Sequence, residues 1–332
     1  MTKHTFQCAV LLLSTAVAYE YTRAELTTKF EQLQAGLSVN SLTSRSHVRI
    51  AWIGESAMRN QLMFLCDLLA APYDKNLFGA QYFFAGCKSP DGRVEIIGHA
   101  VGGTQPPWDM RTAGELYDQL ANRSLVGREG AAFDATYFCS MIFHAMTLGH
   151  ERGFRGRPGL NLAADVAEAA AQLRARGSCP IFSTTNWICD RKFTGSWAST
   201  VALARASGNA TAFYEARCRE QRGVAAGDVP ACGGLSFTSE GADYAARLEH
   251  EGLAMLREPV ALVDSHAMTR HQCWATKDGR HYTPLLPQRL AALIDGLDEC
   301  FGNSDAPRGP ARSNRGLRGW RLGARAARAS LQ

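Results

Sequence analysis

Apolar positions along the chain switch repeatedly between two periods. Residues 47–53 alternate and then turn continuously apolar before Gly54, the pattern of a strand buried inside a sheet. Residues 59–71 follow with Leu62, Leu65, Cys66 and Leu69 at three- and four-residue spacing, which predicts a helix. Further strands are expected at 94–97, at 135–143, at 180–184 and at 259–263, the last ending at Asp264. Helices are expected at 160–176 (Ala-rich and stopped by Gly177), at 242–257 and at 288–297. Residues 19–46 are polar with a helical first half, and 190–240 are less regular and read as an insertion or lid. Strands alternating with helices predict an α/β protein, a three-layer α/β/α sandwich whose mostly parallel sheet is covered on both faces. An active site in such a fold lies at the carboxyl ends of the strands.

The two ends of the chain depart from this pattern. Residues 1–7 are polar with Lys3, and 8–18 form a largely apolar run ending in Ala16-Val17-Ala18, a small-x-small cleavage pattern. These eighteen residues read as a secretory signal peptide, with an uncleaved anchor as the competing reading. The run is too short to span a bilayer, and nothing elsewhere approaches the ~20 apolar residues a span needs, which excludes a multi-pass membrane protein. The catalytic domain is expected over 19–300. From 301 to 332 the composition shifts to Arg, Gly and Ala, with seven Arg against one Asp. Leu317, Trp320 and Ala324 share a helical face beside Arg318, Arg321 and Arg325, but Gly316, Gly319 and Gly323 disfavour a stable helix. A disordered basic tail is expected, and a membrane surface or polyanion would be met there.

The net charge of +5 suggests nucleic-acid binding until it is partitioned. The tail and Lys3 account for more than all of it, leaving the body near neutral. A basic nucleic-acid-binding fold, which carries its charge on the folded face, is therefore excluded. The chain has ten cysteines, and nine remain without Cys8. In an oxidising compartment they read as structural disulfides with at least one left over, and no CxxC pair supports a zinc ribbon. Two sequons, at Asn122 and Asn209, suit a secretory-pathway protein, secreted or held in the Golgi lumen. Nothing in the pattern sets an oligomeric state.

Two short motifs carry candidate chemistry. Gly54-Glu55-Ser56 directly follows the first strand. A serine at a strand-to-helix turn can expose its hydroxyl at the sheet edge while the helix start offers backbone N–H groups to an anion. A helix N-cap is the ordinary alternative for such a serine. Asp278-Gly279-Arg280-His281 lies after the last predicted strand, and one tight turn there can present both side chains. His281 would take the Ser56 proton and Asp278 would hold the imidazole in the required tautomer.

A Gly-x-Ser after the first strand with DxxH before the last helix resembles the SGNH (GDSL-like) hydrolase superfamily. The longer stretch Gly54-Glu55-Ser56-Ala57-Met58-Arg59-Asn60-Gln61 is similar to the PC-esterase branch, which includes plant trichome-birefringence-like polysaccharide O-acetyltransferases with the signature GDS-x-x-RNQ. Asp278 to Tyr282 with Pro284 and Pro287 resembles that branch's D-x-x-H-aromatic block, and Thr184-Thr185-Asn186 resembles the end of a family strand. The motifs cover about thirty residues but are ordered across most of 48–297. The resemblance implies a Ser56–His281–Asp278 triad and an acyl-enzyme. It also implies an acyl ester hydrolase or O-acyltransferase acting on carbohydrate or glycan, with acetyl as the acyl group. No cofactor or metal is implied; a transferase would take acetyl from an ester or an acetyl-CoA-derived donor. A non-catalytic carbohydrate-binding relative is the alternative.

The chain departs from the family pattern at two places. Glu55 stands where the family has Asp, and no Asn matches its third block, where Cys139 and Ser140 stand instead. Oxyanion donors are therefore sought at the Ser56 N–H and at Gly102 or Gly103, with Arg59, Asn60, Ser140 and Asn186 as side-chain candidates for the oxyanion or substrate. His144 and His266 are secondary histidines. Trp108, Trp187, Trp197 and Trp274 fall in loops near strand ends, where they could stack on sugar rings or simply pack the loops.

Overall fold

The central strand decides the architecture. β1 (Val48–Glu55) buries every side-chain position up to Gly54, so it must lie inside a sheet with both faces covered. Successive side chains point to opposite faces. Ile50 and Trp52 join a core with Met58, Leu62 and Leu65 of α1 (Ser56–Leu68) and with Leu290, Leu293 and Leu297 of α9 (Leu286–Gly302). Ala51 and Ile53 join the opposite core, built with α2 (Ala113–Ala121), α3 (Leu162–Ala175) and α7 (Ser239–Ala254). The chain is thus a three-layer α/β/α sandwich. The computed structural model describes residues 47–79, 84–101, 113–140, 161–195, 197–220 and 224–302. The expected signal peptide, the polar stretch after it, the Arg-rich tail, Gly102, Gly103, Trp108 and His144 lie outside them. Among the described residues no helix is long and apolar enough to cross a membrane.

Among the described residues the sheet has six strands in the order β2-β3-β1-β4-β5-β6. β3 (Val94–Val101), β4 (Ala135–Cys139), β5 (Cys179–Ser183) and β6 (Ala261–Val263) run parallel to β1, and β2 (Phe84–Lys88) is an antiparallel edge. The chain goes from β1 outward to β3 with α1 on one face, then reverses direction to β4 with α2 on the other. Right-handed crossovers require that change of face when the direction reverses. The crevice opened by the reversal lies at the carboxyl ends of β1 and β4.

Several elements differ from expectation. β2 and α2 carry no clear period in the sequence: β2 is five residues at an edge, and α2 buries one narrow face. Residues 190–240, expected to be irregular, hold α4 (Ala198–Ala206), α5 (Ala210–Glu220) and α6 (Val229–Gly234). These helices bury few apolar side chains (Val201 and Ala204 from α4, Tyr214 and Cys218 from α5), so their helical period is faint. The first helix begins at Ser56 rather than at 59.

Four disulfides pin the layers: Cys66–Cys87 from α1 to β2, Cys179–Cys300 from β5 to the end of α9, Cys189–Cys273, and Cys218–Cys232 from α5 to α6. Cys139, half-buried at the end of β4, is outside these four bridges. Four bridges suit an oxidising secretory or extracellular environment.

Candidate active site

β1 runs into α1 without a loop. Glu55, with extended backbone (φ −101°), is the N-cap residue and makes no side-chain cap hydrogen bond. Ser56 is therefore the first helical residue, not the cap, and its hydroxyl is available for something else. Its N–H belongs to the first turn of α1, whose donors have no partner within the helix. Gly54 makes this junction fit: a Cβ there would lie 2.4 Å from Met58 Sδ and 3.4 Å from Cys139 Sγ. A side chain at 54 would displace the Met58 thioether from its place against the strand end.

Ser56 Oγ lies 2.8 Å from His281 Nε2, and His281 Nδ1 lies 2.5 Å from Asp278 Oδ2. The second oxygen, Asp278 Oδ1, accepts the backbone N–H groups of Arg280 (3.1 Å) and His281 (2.9 Å) and the Thr276 hydroxyl (3.2 Å). With Oδ1 filled from the backbone, Oδ2 is left to take the Nδ1 proton, which leaves Nε2 as an acceptor for the Ser56 hydroxyl. Burial alone would raise the Asp278 carboxyl. The hydrogen bonds and charge of His281, with the Arg280 N–H, outweigh it and hold the group well below the usual carboxylate range.

The Asp278–His281 turn is held from behind. Gly279 takes φ +83°, and a Cβ there would lie 2.6 Å from the Cys189 carbonyl oxygen and 2.8 Å from Phe193 N and Cα. The turn is that close because Cys189 N–H donates to the Gly279 carbonyl (2.8 Å) and Thr194 N–H to the Asp278 carbonyl (3.2 Å). Cys189–Cys273 and the Lys192 ammonium on the Thr276 carbonyl (3.0 Å) add to the clamp. Beyond the turn, buried Tyr282 packs with Ala275 and Leu285.

Below Ser56 lies a buried polar cluster. Arg289 of α9 is 1% exposed; it donates to Ser265 Oγ, at the start of α8 (Ser265–Thr269), at 3.1 Å and to the Ala57 carbonyl at 3.4 Å. With its amide oxygen turned to Arg289, Gln61 accepts from that guanidinium and its nitrogen donates to Tyr137 Oη at 2.6 Å. Burial lowers the Arg289 guanidinium and pushes the Tyr137 phenol up to about 12. This cluster fixes the first turn of α1 against α9 and β4.

The structure brings Ser56, His281 and Asp278 together from the two ends of the domain. Arg59 and Asn60 lie half-buried on the first two turns of α1, with Arg59 close enough to act electrostatically on Tyr73. Ser140 Oγ donates to Glu249 at 2.5 Å, and Asn186 Nδ2 donates to the Arg280 carbonyl at 2.9 Å. Asn186 is thus tied to the Asp278–His281 turn through its nitrogen, while its Oδ1 is buried with no partner. His266 bonds Asp243 at 2.9 Å, apart from the triad. Trp187 packs edge-on with His271 and Trp197 stacks on Phe237, while Trp274 is largely exposed. Glu249 and Arg289 went unnoticed in the sequence. Each is a charge on an otherwise apolar helical stripe, beside Ala242, Ala245 and Ala246 in one case and Leu286, Leu290 and Leu293 in the other, and that irregularity is the signal that marks them.

No family model matches the chain, and no curated protein matches it.

Proposed function

We propose that the chain is a serine-dependent acyl ester hydrolase or O-acyltransferase. The observation that carries this reading is the unbroken Ser56–His281–Asp278 relay, with hydrogen bonds of 2.8 Å and 2.5 Å at the carboxyl end of the central strand. Ser56 Oγ attacks the ester carbonyl as His281 Nε2 takes its proton, and Asp278 stabilises the imidazolium that forms. The tetrahedral oxyanion is met by the Ser56 N–H at the positive start of α1; such a donor contributes roughly 10²–10³ in rate. Collapse expels the alcohol, which leaves with the proton from His281, and the acyl group stays on Ser56. His281 then activates a second hydroxyl. Water at this step gives an esterase, and a sugar hydroxyl gives a transferase. The resemblance of residues 54–61 and 278–282 to the PC-esterase branch of the SGNH hydrolases favours acetyl as the acyl group and a glycan as the acceptor. An oxidising secretory or extracellular compartment, where glycans are exposed, agrees with the disulfides.

The test is turnover of a chromogenic acetyl ester by the purified protein beside Ser56→Ala. Turnover lost in the variant supports the nucleophile, and equal turnover by both removes it. Acetyl incorporation into glycan from a donor, without ester hydrolysis, selects the transferase.

A further inference from the structure

The relay leaves the buried acid Glu249 unused. Glu249 lies on the stripe that α7 buries and is fully shielded from solvent. Its oxygens are filled from the loops after β4 and β5: Oε1 accepts from Ser140 Oγ (2.5 Å) and Thr185 Oγ1 (2.8 Å), and Oε2 accepts the Thr185 N–H (2.9 Å). The residues flanking Thr185 reach the rest of the site's edge. Thr184 Oγ1 donates to Asp264 at 3.0 Å and accepts the His266 N–H at 2.9 Å. Asn186 Nδ2 donates to the carbonyl of Arg280, the residue between Gly279 and His281. The three residues after β5 therefore join α7, the end of β6 and the catalytic turn.

A buried carboxyl is a costly way to fill a helical stripe. An apolar side chain would pack there at lower cost, but it could not take up three donors from two loops. The charged neighbour acting on Glu249 is His250, itself turned to Asp264 at 3.4 Å. Burial pushes the carboxyl up to about 7 against the pull of those hydrogen bonds, so both protonation states are populated near neutrality, and the protonated one can donate to a hydroxyl beside it.

We propose that Glu249 is a positioning residue for the catalytic turn: it fixes Thr185, Thr185 fixes Asn186, and Asn186 holds the Arg280 carbonyl so that His281 stays within reach of Ser56. The proposal rests on the Ser56–His281–Asp278 reading, and its test reads the turn without a substrate. The proton shared by His281 Nδ1 and Asp278 gives a far-downfield proton resonance, identified by its loss in Asp278→Asn and its survival in Ser56→Ala. Glu249→Ala is expected to broaden or abolish that resonance and to slow covalent labelling of Ser56 by an organophosphonate about 10–100-fold. Glu249→Gln, which keeps an acceptor oxygen and the shape, restores both. Thr185→Val removes one of the three bonds and gives a smaller loss of both signals; it decides the matter if Glu249→Ala does not fold. A wild-type resonance and labelling rate in Thr185→Val and in any folded Glu249→Ala would overturn the proposal. Absence of the resonance from the wild-type protein would overturn the triad reading beneath it, and the proposal with it.

Discussion

Gly279→Ala perturbs the catalytic turn without touching a reacting group. The new Cβ would sit 2.6 Å from the Cys189 carbonyl oxygen and 2.8 Å from two backbone atoms of Phe193. Ordinary contacts are about 3.5 Å, so the turn must retreat by about 0.8 Å. The opposing backbone cannot yield cheaply, because Cys189 is bridged to Cys273. Alanine at φ +83° adds about 1–2 kcal/mol of left-handed strain. A retreat of that size stretches the 2.8 Å Ser56–His281 contact to the edge of hydrogen-bonding range. Misplacement on this scale costs about 10²-fold in rate. The assay is kcat/KM on a chromogenic ester together with the rate of organophosphonate labelling. Gly92→Ala is the control: its φ is +70°, yet its Cβ would meet nothing closer than 3.8 Å. It carries the strain without the clash, in a turn far from the triad. If Gly279→Ala reacts as fast as Gly92→Ala, the close-packed turn does not set the His281 position and the reasoning fails.

Asp278→Asn should leave the fold in place and lower kcat by about 10⁴-fold, through the wrong imidazole tautomer; a variant within tenfold of wild type would deny Asp278 that role. Glu249 makes stability depend on pH. Its folded value of about 7 lies above the unfolded ~4.3, so its contribution is fully present below the unfolded value and is lost as pH rises through 7. Urea melts at pH 5 and pH 8 should differ by up to about 3 kcal/mol more in the wild type than in Glu249→Gln, and equal differences would refute the assignment. Replacing Cys189 and Cys273 together by serine should cost about 2–4 kcal/mol and slow Ser56 labelling more than the loss of Cys218–Cys232 does, because only the first bridge clamps the catalytic turn.

How much of this was legible in the sequence follows from how local each signal is. β1 was readable because a fully buried strand has a continuous apolar run that Gly54-Glu55-Ser56 interrupts, whereas α1 was readable as a helix but starts three residues before its apolar period shows. The DxxH turn was readable because both side chains sit on four consecutive residues. Local pattern does not register β2, whose five residues depend on pairing with β3, nor the helices over 198–234, whose buried faces are small. Arg289 under Ser56 and Glu249 under Thr185 act across layers, between residues whose linear separation says nothing of contact. The pairing of eight cysteines was likewise invisible, since spacing alone does not choose among connectivities. The bonds of Ser140 to Glu249 and of Asn186 to the Arg280 carbonyl could be shown only by the packing of α7 and the 186–194 segment. Gly102 and Gly103 lie outside the described residues, and the oxyanion donor proposed above is the Ser56 N–H.

The most direct test of the central claim is covalent labelling of the purified protein with a fluorophosphonate, followed by peptide mass spectrometry. The account predicts one adduct, on Ser56, formed slowly or not at all in His281→Ala and absent from Ser56→Ala. No adduct on the folded wild-type protein, or an adduct on Ser56 that forms equally fast without His281, would contradict it.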